Sequence, residues 1–318
     1  MNMKLFRLTF LSCVLCCLSI STMAGTRRDL TKAQHALSAQ NYEQAFQLFT
    51  DIENNSQNSL AQFSLALMLK QGLGRSVDLA LACEWFEKAA KGGIPTAAHE
   101  YAKCLEYGLK QAADLSAAAD WYRKAGKLGS YLSYCSLGNL YMLGKGVEKS
   151  PEKALQFCQI AAKKRVPQAM IQLGRWRLEG EELIRDTALA LQWFIAGAEL
   201  NQAEAEFYLG KMIRAGVVKE TSLSDARYWF EKAASQGYRV AYLPVGELYL
   251  TLELDASNDL PSAKNLAKSY LWLSVAAQRA NPEQQAIAAD LLKKVIALMP
   301  PEWKVGLDPK IAEHLARY

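Results

Sequence analysis

An aromatic side chain recurs every 36 residues along this chain, and this period constrains the fold more than any other feature of the sequence. The aromatic column is Trp85, Trp121, Phe157, Trp193 and Trp229, followed by Trp272 after a step of 43 residues. Three columns of glycine or other small residues keep the same register: Gly72, Gly108, Gly144, Gly180, Gly216; Ala61, Ala97, Ser133, Ala169, Ala205, Ala241; and Ala66, Ala102, Gly138, Gly174, Gly210, Gly246. Four columns in one register indicate an array of structural repeats.

Each repeat is predicted to be a helix, a loop, a second helix and a tight turn. In the repeat that starts at Ser133, Leu137 and Tyr141 share one helical face, and Gly144 supplies the left-handed conformation that ends a helix. The second helix then begins at a residue type that caps helices well. The predicted caps are Asp78, Asp114, Ser150, Asp186, Ser222 and Asn265.

The second helices are predicted to end near Gly93, Gly129, Arg165, Asn201 and Gly237. Glycine and asparagine tolerate a left-handed cap. Arg165 departs from this pattern, so we expect the proline two residues later to stop that helix instead. Each aromatic of the 36-residue column precedes an alanine or glycine by four residues, which places the two on one helical face. We therefore expect the aromatic column to lie in the core.

The segments LGNLYMLGKGV (137–147) and WFEKAASQG (229–237) resemble the Sel-one-like repeat, a relative of the tetratricopeptide repeat. The resemblance covers about residues 59–280, with local departures at Lys110, where a second loop glycine is usual, and at Arg177, where a tyrosine is usual. It implies an all-α fold, an α-solenoid of about six 36-residue antiparallel helix pairs closed by helical caps. It also implies a scaffolding, envelope or host-interaction role in bacteria.

The first 24 residues have the layout of a secretory signal peptide, with Lys4 and Arg7 before an apolar run and small residues before a cut after Ala24. A membrane anchor and a lipoprotein signal are the alternatives; the 13-residue apolar run is short for a span, which takes about 20 residues. The sequence then predicts capping helices over 25–58, the repeat solenoid over 59–283 and capping helices over 284–318, the last of them opening at Asp308. No later stretch is long and apolar enough to cross a membrane.

The predicted mature chain is only weakly basic. Its signal peptide carries two of the 37 basic residues and none of the 32 acidic ones, which leaves a charge of +3. A nucleic-acid binder usually shows a marked basic face, so no nucleic-acid partner is expected. Four cysteines remain, Cys83, Cys104, Cys135 and Cys158, without a common repeat spacing. An exported protein is permitted disulfides, but we expect these cysteines to be free and buried.

No catalytic, cofactor-binding or metal-binding motif is found in the sequence. The three histidines, His35, His99 and His314, fall at unrelated positions of different repeats. There is no zinc-protease motif, no paired-cysteine motif and no glycine-rich phosphate loop. The chain is therefore not expected to be an enzyme or to need a cofactor, and a hydrolase with an unrecognised site is retained only as a remote alternative.

The candidate binding site is a strip on the first helices of the repeats. If the repeats stack as in tetratricopeptide proteins, the residue after the small column faces the concave groove. This position and the one three residues later supply Lys103, Asn139, Arg175, Lys211 and Arg214. Such a basic, hydrogen-bonding strip suits a protein or peptide partner with an acidic segment or a C-terminal carboxylate, although an ordinary solvated surface has the same composition.

Taken with the resemblance, these features predict a non-enzymatic scaffold or adaptor of the bacterial periplasm or secreted space, with its partner bound in the groove. An inhibitor or regulator of a cell-wall enzyme is the alternative from a different functional class. The sequence does not distinguish the two, because fold alone does not fix function.

Overall fold

The computed structural model describes residues 25–180, 185–252, 254 and 258–318, and the predicted signal peptide lies outside these residues. The chain divides into two compact units, residues 1–164 and 165–318, which we call unit 1 and unit 2. Each unit is built from helices that pack against their sequence neighbours. This confirms the predicted all-α solenoid of helix pairs.

Unit 1 contains four helix pairs, of which the first is the predicted N-terminal cap. Its helices are α1 (residues 25–38), α2 (Tyr42–Ser56), α3 (Ser59–Gln71), α4 (Leu79–Lys91), α5 (Pro95–Tyr107), α6 (Leu115–Lys127), α7 (Leu132–Leu143) and α8 (Pro151–Lys163). The helices α3, α5 and α7 are the first helices of their repeats, and α4, α6 and α8 are the second helices.

Unit 2 contains three further pairs and two additional helices. Its helices are α9 (Pro167–Glu179), α10 (Thr187–Glu199), α11 (Ala203–Arg214), α12 (Leu223–Ser235), α13 (Tyr242–Thr251), α14 (Ala263–Arg279), α15 (Pro282–Leu298) and α16 (Trp303–Arg317). A short 3-10 helix, Arg239–Ala241, precedes α13. Both α15 and α16 pack against α14 and cover the C-terminal end of the array.

The predicted caps begin the second helices in five of the six repeats. Asp78, Asp114 and Asp186 each accept the backbone N–H of the residue three positions on, at 2.8–2.9 Å. Ser150 and Ser222 do the same at 3.3 Å. The prediction of Asn265 is wrong, because Ser262 caps α14 and accepts the Asn265 N–H at 3.2 Å. The extra residues of this repeat let the helix begin three positions earlier.

Left-handed backbone ends both kinds of helix, as predicted at most positions. The residues after the second helices have positive φ, including Arg165 at 58° and Asn201 at 53°. Arg165 is therefore not the predicted exception; it takes the left-handed turn itself, and the proline only follows it. Among the loop glycines, Gly180 is the position that differs, because its φ of −68° and ψ of 123° carry the chain out of α9 in extended backbone.

The core does not centre on the predicted aromatic column. Trp85, Trp121, Phe157, Trp193 and Trp229 are all half-buried. The fully buried position is the next residue along each second helix. It is occupied by Phe86, Tyr122, Cys158, Phe194 and Phe230. The expectation that the aromatic column forms the core is therefore wrong by one position, because the buried column is the next residue toward the C-terminus. Trp272, 5% exposed, is the one buried member of the predicted column.

The small-residue column makes room for these buried rings. A Cβ added at Gly174 would lie 2.7 Å from the ring of Phe194, and one at Gly210 would lie 3.0 Å from the ring of Phe230. The second loop glycine has a different task. A side chain at Gly146 would meet the backbone of Leu115 at the start of α6, so only glycine lets the loop approach. Lys110 replaces this glycine in the neighbouring repeat and instead lies 3.3 Å from Glu84.

All four cysteines of the described chain are paired in unit 1, so the expectation of free cysteines is wrong. Cys83 of α4 bonds to Cys104 of α5, and Cys135 of α7 bonds to Cys158 of α8. The first disulfide joins a second helix to the next first helix, and the other joins the two helices of one repeat. Because the two disulfides cross different junctions, their cysteines share no repeat spacing.

The C-terminal cap differs from the prediction in the start of its last helix. The helix α16 begins at Trp303 and contains Pro309, whereas the sequence predicted a start at Asp308. Proline cannot donate to the carbonyl four residues earlier, which belongs to Val305. Val305 is 82% exposed, so water can bond to that carbonyl and the helix continues. Among the described residues, no helix combines the length and the apolar character needed to cross a membrane.

Candidate functional site

The first-helix face of unit 1 contains two of the predicted site residues, Lys103 on α5 and Asn139 on α7. Lys103 Nζ lies 3.6 Å from Glu100, and Lys70 of α3 donates to the same carboxylate at 2.7 Å. Burial alone would raise the pKa of Glu100, but the hydrogen bond from Lys70 and the charge of Lys103 outweigh it and hold that pKa below its ordinary value. Glu100 is therefore ionised and neutralises part of the local positive charge.

Apolar side chains surround these polar groups in unit 1. Tyr107 is 63% exposed and Leu143 is 60% exposed, and they occupy the same position on α5 and α7. The half-buried Met142 lies beside Leu143 in sequence. Below this surface, the buried Tyr122 donates its hydroxyl hydrogen to Glu106 at 2.6 Å. Exposed tyrosine is enriched at protein contact sites.

In unit 2 the predicted residue Arg175 lies between two carboxylates. Its guanidinium is 3.7 Å from Glu179 and 3.7 Å from Glu204 of α11. Tyr208 donates to Glu179 at 3.1 Å. Burial raises the pKa of Tyr208 to about 12, with Arg175 opposing the rise and Glu179 adding to it. The arginine is thus held in a network of acidic and phenolic groups.

The remaining predicted residues, Lys211 and Arg214, differ in their surroundings. Arg214 donates to Glu247 of α13 at 3.1 Å. Lys211 has no carboxylate at ion-pairing distance among the described residues, and its ammonium lies 5.6 Å from the ring centre of Tyr208. Two of the three predicted cations of unit 2, Arg175 and Arg214, are thus accompanied by the carboxylates of Glu179, Glu204 and Glu247. The charge around Arg175 and Arg214 is therefore partly balanced; Glu179 and Glu204 lie outside the two columns that predicted the strip, and Glu247 is itself a member of the first column.

The second-helix face of unit 1 carries a feature that sequence reasoning did not assign to a site. Lys88 lies 3.8 Å from the ring centre of Trp85, and Lys124 lies 4.2 Å from the ring centre of Trp121. Each lysine follows its tryptophan by three residues and shares its helical face. The half-buried tryptophans are therefore covered by cations. The constant spacing of lysine after tryptophan was the sequence signal for this contact.

A serine–histidine contact occurs in unit 1, but it lies in the core. His99 Nδ1 is 2.9 Å from the hydroxyl of Ser133, which in turn contacts Ser130 at 3.1 Å. Ser133 is fully buried, and burial lowers the pKa of His99. A nucleophile needs access to substrate, so this contact is a helix-to-helix hydrogen bond. The part of the chain that the structure describes contains no cluster of three or more histidine, cysteine or acidic residues arranged for a metal ion.

These helix pairs define a helical-hairpin repeat protein whose repeats share capped second helices and a column of small residues. Sel1 repeats match residues 59–94, 95–130, 132–165, 167–202 and 203–238, which together are more than half of the chain. The chain therefore belongs to the Sel1 repeat family. Proteins of this family generally mediate protein–protein interactions and are typically non-enzymatic scaffolds.

Known proteins with similar folds or sequences support this assignment. A Sel1 repeat protein from Oxalobacter formigenes is 26% identical, with a TM-score of 0.67 over 78% of this chain and 98% of its own. A protective antigen of uropathogenic Escherichia coli with an SLR fold is 21% identical, with a TM-score of 0.61 over 87% of this chain and 62% of its own. Chitin synthase regulatory factor 3 of Schizosaccharomyces pombe is 27% identical over 187 residues, 56% of this chain. That match spans 20% of the length of the yeast protein.

Proposed function

We propose that the protein is an exported, non-enzymatic scaffold that binds another protein through the first-helix face of its repeats. The observation that carries the proposal is the pair of highly exposed apolar side chains, Tyr107 and Leu143, at matching positions of two neighbouring first helices. Tyrosine is among the residues that supply much of the binding energy in protein interfaces, and the leucine adds apolar area that a partner can bury. The five residues predicted from the sequence lie on first helices of the two units, around or in register with these apolar groups.

The charge balance of this face changes the expected partner. Because Lys103, Arg175 and Arg214 already lie near carboxylates, a purely acidic segment would have to compete with Glu100, Glu179 or Glu247. A partner segment with apolar side chains and charges of both signs fits better. Among the described residues, Lys211 and Asn139 are the predicted site residues whose side chains have neither an ion pair nor a hydrogen bond, so their polar groups are available to such a partner.

An oxidising compartment is part of the proposal. Two disulfides are a feature of exported proteins, and they agree with the predicted signal peptide and its cut after Ala24. The test is N-terminal sequencing of the protein recovered from periplasm or medium, which should begin at Gly25. Recovery of uncut protein in the cytoplasm, with reduced cysteines, would contradict export.

Site-specific photocrosslinking tests the binding face. A photoreactive phenylalanine analogue at Tyr107 or Leu143 should form an adduct with one defined protein in the native host. Ile195, on the second helix α10 and 41% exposed, is the control position. Adducts at Tyr107 and not at Ile195 are expected. Equal adducts at both positions would contradict the face assignment, and the absence of any protein adduct at Tyr107 and Leu143 would contradict the scaffold role.

Regulation of a polysaccharide-processing cell-wall enzyme is the second candidate function. It is favoured by the yeast relative, whose name describes a regulatory factor of chitin synthase. On this proposal the crosslinked partner is such an enzyme, and the purified chain should change its rate by a saturable amount. A partner without enzymatic activity would rule out this candidate and leave the scaffold proposal intact.

A further inference from the structure

The second helices of unit 1 end in exposed lysines that form a surface we call the lysine ridge. It consists of the residues Lys88, Lys91, Lys124, Lys127, Lys163 and Lys164. They lie in the last turn or at the end of α4, α6 and α8, two from each helix. Lysines at these positions interact favourably with the carbonyl end of the helix dipole, which explains why they are tolerated but not why they recur.

Most of this positive charge is not neutralised within the protein. Lys91 pairs with Glu87 at 2.8 Å. The other five lysines have no carboxylate at ion-pairing distance among the described residues. The first-helix face of unit 1 differs in this respect, because Lys70 and Lys103 both lie near the carboxylate of Glu100. The net positive charge of unit 1 is therefore concentrated on the opposite set of helices from the one that the sequence indicated.

The repeat fold does not require these lysines. In α10 of unit 2 the positions that correspond to Lys124 and Lys127 are Ala196 and Glu199. In α12 the corresponding lysine, Lys232, pairs at 2.9 Å with the buried Glu206. At these repeat positions, exposed lysines without a carboxylate partner are thus found in unit 1 and are not a general property of the repeat.

Apolar groups lie next to the ridge lysines. Leu128 follows Lys127 directly and is 39% exposed, and Ile160, 37% exposed, takes the place of a ridge lysine on α8. The lysines lie over the half-buried rings of Trp85 and Trp121, so these ring faces are not open for stacking with nucleic-acid bases. Positive charge interspersed with aliphatic side chains is complementary to a protein segment that alternates carboxylates with apolar residues.

We propose that the lysine ridge is a second docking surface of the scaffold, and that it binds an acidic protein segment with apolar side chains between its carboxylates. This inference rests on the proposed scaffold function but uses different helices. Because exposed ion pairs are weak individually and are screened by salt, the binding is cooperative over several lysines and weakens as salt rises.

Fluorescence anisotropy with the full chain tests the ridge. The probe is a fluorescein-labelled peptide of repeated Glu-Glu-Leu, and a peptide with glutamine in place of glutamate is its uncharged counterpart. The ridge variant is Lys124→Gln, Lys127→Gln and Lys163→Gln. The control variant is Lys264→Gln, Lys293→Gln and Lys310→Gln, which removes the same charge from exposed lysines of unit 2 that have no ion pair among the described residues.

The ridge variant is expected to bind the acidic peptide roughly tenfold more weakly, since each exposed charge pair contributes up to a few-fold in affinity. The control variant should stay within about twofold of the parent, and the glutamine peptide should not bind. Equal losses in both variants would overturn the proposal in favour of net charge alone. Tighter binding of a single-stranded oligonucleotide of equal charge, dependent on the same lysines, would overturn the assignment to a protein partner.

Failure of the ridge is distinguishable from failure of the scaffold function. If the ridge variant binds the acidic peptide as tightly as the parent does, and crosslinks at Tyr107 persist, the ridge proposal is wrong and the first-helix face remains the docking surface. If the ridge variant loses the peptide while Tyr107 and Leu143 give no adduct, the ridge stands and the first-helix proposal falls.

Discussion

Replacing Phe194 by alanine tests the assignment of the core to the residue after the aromatic column. Phe194 is fully buried and stacks on Tyr208, with ring centres 4.6 Å apart and planes 5° from parallel. Truncating such a ring removes its transfer free energy and leaves a cavity, which costs about 3–5 kcal/mol. Trp193 is the larger side chain but is half-buried, so solvent already reaches it. Trp193→Ala should cost only about 1–2 kcal/mol.

Urea denaturation of the full chain, followed by circular dichroism, measures both losses. Repeat arrays can open locally, so hydrogen exchange of the α10 and α11 amides should accompany it and report opening at the mutated site. Phe194→Leu, which keeps part of the buried volume, should fall between the parent and Phe194→Ala. If Trp193→Ala destabilises the protein as much as Phe194→Ala, the tryptophan column carries the core and the assignment made here is wrong.

Three further changes have defined outcomes. Gly216→Val should lower the free energy of unfolding by about 1–2 kcal/mol, because φ is +72° at this position and a β-branched residue is strained in left-handed backbone. Gly216→Asn should lower it less. Equal melting temperatures for the parent and both variants would contradict this prediction. Replacing Cys83 and Cys104 by alanine should cost about 3 kcal/mol through the freed loop of about 20 residues, measured against the parent under oxidising conditions, and no change would contradict a formed disulfide. The buried His99 has a lowered pKa, so as pH falls the unfolded chain binds a proton at this histidine before the folded chain does, and the free energy of unfolding should fall below the ordinary pKa of 6.5. In His99→Gln the dependence of the free energy of unfolding on pH should be weaker in this range. Glu100 and Glu231 also have lowered pKa values, and the stability that they contribute should be lost only below about pH 4.5.

The period of the repeat was predictable because it depends on local rules. A cap such as Asp114 acts on a backbone amide three residues away, and a glycine such as Gly144 acts on its own backbone conformation. Both effects are visible in the sequence wherever the residue type recurs. The preference of glycine and asparagine for left-handed backbone is only a tendency. At Arg165 the backbone is left-handed although the residue type disfavours it, because the turn between stacked helices needs a left-handed residue.

The one-residue error in the core has a physical origin. The column of Trp121 and the column of Tyr122 have the same period, so periodicity alone does not tell which of two adjacent residues faces inward. Ring size favoured tryptophan, but a large amphipathic ring is often only partly buried. The buried column is also not aromatic throughout, because it contains Cys158, so it was harder to recognise as an aromatic column. At that position the disulfide to Cys135 fills the core instead of a ring.

The candidate site was harder to predict than the fold, because its charge is neutralised between neighbouring helices as well as along single helices. Arg175 and Lys211 share one register position with Lys103 and Asn139, and Arg214 lies three residues further on. This placement was the whole basis for a basic strip. Two of their carboxylate partners, Glu204 on α11 and Glu247 on α13, belong to the next repeat, so these two pairs form only when the helices are stacked. Glu84 and Asp120 lie one helical turn before the ridge lysines Lys88 and Lys124, but they pair with Lys110 and Arg123 instead. The two lysines lie over the rings of Trp85 and Trp121. A repeat protein can therefore keep one face electrically balanced and the other charged with the same overall composition, and the face available to a charged partner is set by the register of acids between repeats.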